Sequence, residues 1–131
     1  MTSAAAAAVV AAGGIVVAAS PAMAAGGGCI DYSRNRWNVG VCISAPSAVY
    51  GDIYVNTRGS LGGECYIELS IIRYTSADAV EGTVASRIDG CNAGHHSAIS
   101  ATKYSGKRYR MFARVFVNQV VVDAGSSPVA Y

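Results

Sequence analysis

Between Arg36 and Val122 the apolar residues of this chain recur at every second position, and no segment there sustains a period near 3.6. That alternation is the strongest constraint on its fold. A strand turns successive side chains to opposite faces, so a period of two buries one face and wets the other. Trp37, Val39, Val41 and Ile43 share one face of Arg36–Ser44. Ile53 and Val55 alternate with Asp52, Tyr54 and Asn56. Cys65, Ile67, Leu69 and Ile71 alternate with Tyr66, Glu68 and Ser70. Val84, Ser86 and Ile88 form a weaker run, and Ala98–Tyr104 another. Tyr109, Met111, Ala113, Val115 and Val117 line the longest, and Val120–Val122 follows an Asn118-Gln119 turn. Clusters of Gly, Ser, Asp and Asn separate the runs, as at Arg58–Gly63 and Gly125–Pro128. The expected fold is all-β: an antiparallel β-sandwich, or a small barrel, of six or seven strands.

The N-terminal part differs in kind. Residues 1–28 contain no Asp, Glu, Lys or Arg, so all ten basic and eight acidic residues lie beyond them. Ala4–Ala19 is an Ala/Val-rich run, followed by Pro21 and the small-residue site Ala22-Met23-Ala24. This pattern predicts an export signal over residues 1–24, cleaved to leave one secreted domain over 25–131 with no membrane span. Cys29, Cys42, Cys65 and Cys91 fit that address, since an even count in a small exported domain reads as two disulfides. Three pairings are possible, and the sequential one, Cys29–Cys42 with Cys65–Cys91, is expected. No two of the four stand in a Cys-x-x-Cys pair, which argues against zinc.

Ser105-Gly106-Lys107-Arg108 reads as a two-residue hairpin turn with Gly first. That register places Lys103 opposite Arg110, Ala101 opposite Phe112 and Ile99 opposite Arg114. It gathers Lys103, Arg108, Arg110 and Arg114 on one face with Phe112 and Phe116. No acid occurs between Gly90 and Val122, so an anionic polymer or an acidic protein is the expected partner of this face. The bland alternative is a solvated face whose charges are met by Glu68, Glu81 or Asp89 on neighbouring strands. A net charge of +2 is too small for a dedicated nucleic-acid binder.

Other motifs carry less. Tyr54, Tyr66 and Tyr74 fall on outer faces, where rings can stack on sugars but are also ordinary strand formers. Trp37 belongs with the core. His95 and His96 have no third ligand at diagnostic spacing and read as a solvated turn, so no metal and no cofactor is expected. Gly59-Ser60-Leu61-Gly62-Gly63 superficially resembles the nucleophile loop of trypsin-like proteases but has Gly59 where Asp is required, and reads as a turn. Asp52, Glu64 and Glu68 cannot be paired as glycosidase carboxylates. No residue pair is assigned a catalytic role.

The chain resembles small exported actinobacterial β-proteins, Ala/Gly-rich with four cysteines. Within that group it is similar in cysteine order to the tendamistat-type α-amylase inhibitors. Those carry Trp-Arg-Tyr between their first two cysteines. Here Arg34-Asn35-Arg36-Trp37-Asn38-Val39 occupies that loop, with Asn38 and Val39 in place of Arg and Tyr. The resemblance implies a secreted, stapled, non-catalytic protein. Three functions follow in order: a binding protein using the basic-aromatic face, an inhibitor of an extracellular amylase or protease presenting Arg34–Trp37 or Arg58–Gly63, and a small hydrolase using His95 or His96.

Overall fold

The computed structural model describes residues 26–131. The expected export signal lies outside them. Eight strands form two sheets. They are β1 (Gly28–Arg34), β2 (Trp37–Ser44), β3 (Val49–Thr57), β4 (Cys65–Tyr74), β5 (Val80–Gly90), β6 (Gly94–Ala101), β7 (Arg108–Val117) and β8 (Val120–Ser126). One sheet has the order β1-β2-β3-β6 and the other β5-β4-β7-β8, with every pairing antiparallel. The architecture is a β-sandwich with no helix among the described residues.

Alternation dictates the interior. Trp37, Val39, Val41, Ile43, Ile53 and Val55 face inward from the first sheet, and Ile67, Leu69, Ile71, Tyr109, Met111 and Val115 from the second. Burying such a side chain stabilises the fold by roughly 1.5–3 kcal/mol. At Gly51 the sheets pack closely: a Cβ there would stand 2.5 Å from the Met111 sulfur. Both disulfides follow the sequential pairing, Cys29–Cys42 and Cys65–Cys91. Each clips the open end of a hairpin, β1–β2 in one sheet and β4–β5 in the other.

Eight strands replace the expected six or seven because the edge strand β1 was unreadable. β1 opens with Gly28 and Cys29, carries Asp31 and Arg34, and leaves most of its residues exposed. β5 is also an edge, and its register shifts between Ile71 and Ile72 of β4. That bulge breaks the expected Val84–Ser86–Ile88 face. Ile88 lies 65% exposed, while Arg87 and Asp89 turn toward β6.

The expected hairpin between Ala98–Tyr104 and β7 does not form. The strand is Gly94–Ala101, and it pairs with β3 in the other sheet. Tyr104–Lys107 still turns, with Lys107 N–H donating to Tyr104 O at 3.3 Å, but the turn carries the chain between sheets. Tyr109 sits under this arch, and its hydroxyl accepts Tyr104 N–H at 2.9 Å. β7 lies instead between β4 and β8, so Arg110 faces Ile72, Phe112 faces Ser70 and Arg114 faces Glu68. The physical reason is non-local. The inward set Ile67, Leu69 and Ile71 matches Val115, Ala113 and Met111 residue for residue, and a centred β7 has both edges paired.

The two side seams are closed by polar groups. Between β5 and β6, Arg87 donates to both Asp89 oxygens (2.6 and 2.8 Å) and to Ser97 O (2.7 Å). His96 Nδ1 lies 2.9 Å from Asp89 Oδ2. Between β1 and β8, Tyr32 lies against Gly125 and its hydroxyl donates to Ser126 O at 2.5 Å.

Candidate binding faces

Arg110, Phe112, Arg114 and Phe116 alternate with the buried residues of β7 and so share the outer face of its sheet. Phe112 is half-buried and lines an open hollow of about 580 Å³ with Ser70, Ile72, Ser86, Ile88 and the Glu68–Arg114 pair. Phe116 stacks on Tyr66 with centroids 4.8 Å apart, and the Arg114 guanidinium lies 5.5 Å from the Phe116 ring centre. The face is therefore aromatic, with an apolar floor and a polar rim.

Its charge is smaller than the sequence suggested. Arg114 Nε donates to Glu68 Oε1 at 3.1 Å across the β4–β7 pair. Among the described residues, Arg110 makes no ion pair. Lys103 stands off this face, and Arg108, at the end of the same outward row of β7, is already paired. Lys103 Nζ donates to Ala45 O at 2.8 Å, and Arg108 pairs with Asp78 at 3.1 Å. Both line a separate hollow of about 650 Å³ at the Tyr104–Lys107 turn. The like-charge pair Lys103–Arg110 does not exist, because the hairpin that would create it does not form. Nearby, Lys107 and Arg73 both bind Glu81 (2.6 and 2.8 Å). The hydrogen bond from Lys107, then that from Arg73, holds the Glu81 carboxyl below its usual range.

A second cationic region was visible only as two separate loops. β1 and β2 join through Asn35 and Arg36, both at positive φ as a two-residue turn requires. The loop after β3 packs against that turn. A Cβ on Gly59 would lie 2.5 Å from Asn35 O and from the Trp37 ring. Asn118 fixes the far side of the loop: its amide donates to Gly62 O (2.9 Å) and accepts Glu64 N–H (3.1 Å). Arg34, Arg36 and Arg58 are exposed on these adjoining segments and make no ion pair among the described residues. Trp37 is 1% exposed, so its ring belongs to the core and not to this surface.

The histidines are not in a solvated turn. Both lie on β6. His95 faces outward, with Nε2 2.6 Å from Asp52 Oδ2 and its ring stacked on Tyr54 at 4.5 Å. His96 is buried in the seam, its Nε2 donating to Asn92 O at 2.8 Å while Nδ1 meets Asp89. The two therefore point away from each other. A hydrogen bond from Arg87, and a weaker one from His96, hold the Asp89 carboxyl below its usual range. No group of three metal-ligating side chains converges among the described residues. Tyr54 lies on the first sheet, and Tyr66 and Tyr74 on the second, so these three rings do not share a surface.

Compared with known proteins, the chain matches no family model, no curated protein and no solved structure.

Proposed function

We propose that the chain is a secreted, non-catalytic binding protein that takes an anionic partner at or outside the cell envelope. The contact is the outer face of β4 and β7. The observation that carries this reading is the position of Arg110. It stands on the same face as the Phe112 hollow without a carboxylate partner, so a ligand can meet a ring and an unneutralised guanidinium together. Two disulfides suit an oxidising compartment outside the cytosol. The test is retention on an anionic resin. Arg110→Glu/Arg114→Glu should elute at clearly lower salt than the parent, and unchanged retention would refute the proposal.

A second reading is an inhibitor of an extracellular hydrolase. The contact of Gly59 with the Asn35–Trp37 turn favours it, because one rigid end then presents Arg36 and Arg58 together. Loops held in place lose little freedom on binding. If a panel of secreted amylases and proteases keeps full activity with equimolar protein, this reading fails.

A further inference from the structure

The two disulfides face opposite ways. Cys65 and Cys91 pack into the apolar cluster between the sheets. Cys42 alternates with the inward Val41 and Ile43, and Cys29 is its direct partner on β1, so their bond lies on the outer face of the first sheet. We propose that Cys29–Cys42 is a thiol–disulfide exchange site, opened at Cys29 by an external thiol whose other polar group is cationic or neutral, while Cys65–Cys91 stays closed. The site is on the other sheet from the anionic-ligand face and does not depend on it.

Access decides which sulfur is attacked. Cys42 and Cys91 are equally buried, each 7% exposed. Their partners differ. Cys29 is exposed, whereas Cys65 is half-buried against the core. Cys29 and Cys42 also line an open hollow of about 230 Å³ with Gly28, Ser44, Asp52 and Tyr54. An incoming thiolate forms a bond to Cys29 Sγ. The Cys29–Cys42 bond breaks, and its electron pair leaves on Cys42 Sγ, which takes a proton from water. Cys29 is then a mixed disulfide and Cys42 a free thiol. A second external thiol attacking that adduct completes the exchange: the external pair is oxidised to its own disulfide, and both cysteines are reduced.

The fold is built to survive this step. Cys29 and Cys42 are directly opposed in an antiparallel ladder that runs from Gly28–Ile43 to Arg34–Trp37. The bond therefore spans one rung of a pairing that the backbone already holds. β1 is tied from its other side as well, by Gly27 N–H to Val129 O (2.8 Å) and by the Tyr32 hydroxyl to Ser126 O (2.5 Å). Neither cysteine belongs to the apolar cluster between the sheets. Opening the bond needs only the local freedom of an edge strand.

Charge selects the thiol. Asp52 is directly opposite Cys42 on β3, which sets their Cβ atoms roughly 5 Å apart. Asp31 follows Cys29 on the same face of β1, and its carboxylate reaches over Gly40, two residues before Cys42: a Cβ there would meet Asp31 Oδ1 at 2.7 Å. Asp52 shares its charge with His95 at 2.6 Å, and Asp31 makes no ion pair among the described residues. Two carboxylates thus flank the bond. They repel a reagent that carries a second negative group and draw one that carries an ammonium.

The test is exchange of the folded, oxidised protein with cysteamine, 2-mercaptoethanol or 2-mercaptoethanesulfonate, quenched with iodoacetamide and mapped by mass spectrometry. The three are matched in thiolate concentration, and each rate is divided by that on a small uncharged disulfide. The first products should be the thiol adduct on Cys29 and alkylated Cys42, formed at least about tenfold faster than Cys65–Cys91 opens. Normalised rates should fall about threefold at each step from the amine to the alcohol to the sulfonate at low salt. They should converge in about 0.5 M salt. Asp31→Asn/Asp52→Asn should make them converge at low salt too. Near-UV dichroism verifies the fold of that variant, and the salt series on the parent carries the charge test by itself. Cys65–Cys91 opening as fast, a first adduct on Cys42, or normalised rates indifferent to reagent charge would each overturn the proposal.

Discussion

Asp123 is the side chain placed most against its own chemistry. It is 2% exposed between the sheets, its Oδ1 accepts Ala124 N–H at 3.0 Å, and its Oδ2 has no partner. Burial pushes its pKa up, against the opposing pull of that hydrogen bond and of the Arg34 charge. A folded state that holds a proton more tightly than the unfolded chain is favoured at low pH. Its contribution is complete below the unfolded carboxyl value, near 4, and is lost as pH rises through the raised folded value. Asp123→Asn should therefore be more stable than the parent at pH 7, on the order of 1 kcal/mol, with the difference closing near pH 3. Urea midpoints at the two pH values test this, and an Asn variant destabilised at pH 7 would contradict it. Nearby, Gly125 has the opposite sensitivity. Any Cβ there would intrude on the Tyr32 ring, so Gly125→Ala should cost about 1–3 kcal/mol, read by the same titration. At this scale the sequence was a good guide to which residues face inward. It was silent on Asp123, because a carboxylate after three valines reads as the end of a strand.

At the scale of elements, β2, β3, β4 and β7 were legible because each buries one clean face. β1 was not, since an edge strand needs little apolar surface, and in β5 the run at Val84–Ile88 was legible but its inward face was not, because the strand is bulged. Five of the six candidate residues followed from alternation alone: Arg108, Arg110, Phe112, Arg114 and Phe116 must share a face wherever β7 pairs. What they face did not follow, for a strand's partner is chosen by the match between inner faces many residues apart. The β5–β6 seam shows what such pairing contributes. Asp89 ties Arg87 to His96 across it, and its carboxyl pKa lies below the usual range, first because Arg87 hydrogen-bonds it. A lowered carboxyl stabilises the fold above its unfolded value, near 4, and that stabilisation fades as pH falls through the folded value. Asp89→Asn should thus cost about 1–3 kcal/mol at pH 7 and progressively less toward acid, the reverse of Asp123→Asn. A penalty that stays constant with pH would show that the seam is held by shape and not by charge.

At the largest scale the described residues form two antiparallel sheets sealed face to face, and neither disulfide crosses between them. The staples therefore act by limiting the unfolded chain and by holding hairpin ends shut, while the core alone binds sheet to sheet. For closed loops of these lengths, chain entropy assigns about 3 kcal/mol to Cys29–Cys42 and about 3.5 to Cys65–Cys91. Domains of this size have net stabilities of only about 5–15 kcal/mol. Cys29→Ala/Cys42→Ala and Cys65→Ala/Cys91→Ala should each remain folded at 25 °C with a clearly lower urea midpoint, and the slope of the transition should rise as the unfolded chain expands. Removing all four sulfurs should leave a substantial fraction unfolded at 37 °C. Far-UV dichroism would show lost strand signal, and thiol-reduced parent protein should behave alike. That outcome would tie the fold to an oxidising compartment through its energetics and not through its cysteine count. If reduced protein instead keeps its midpoint, the apolar core suffices alone, and the staples must be explained by protection of the two exposed faces against proteolysis.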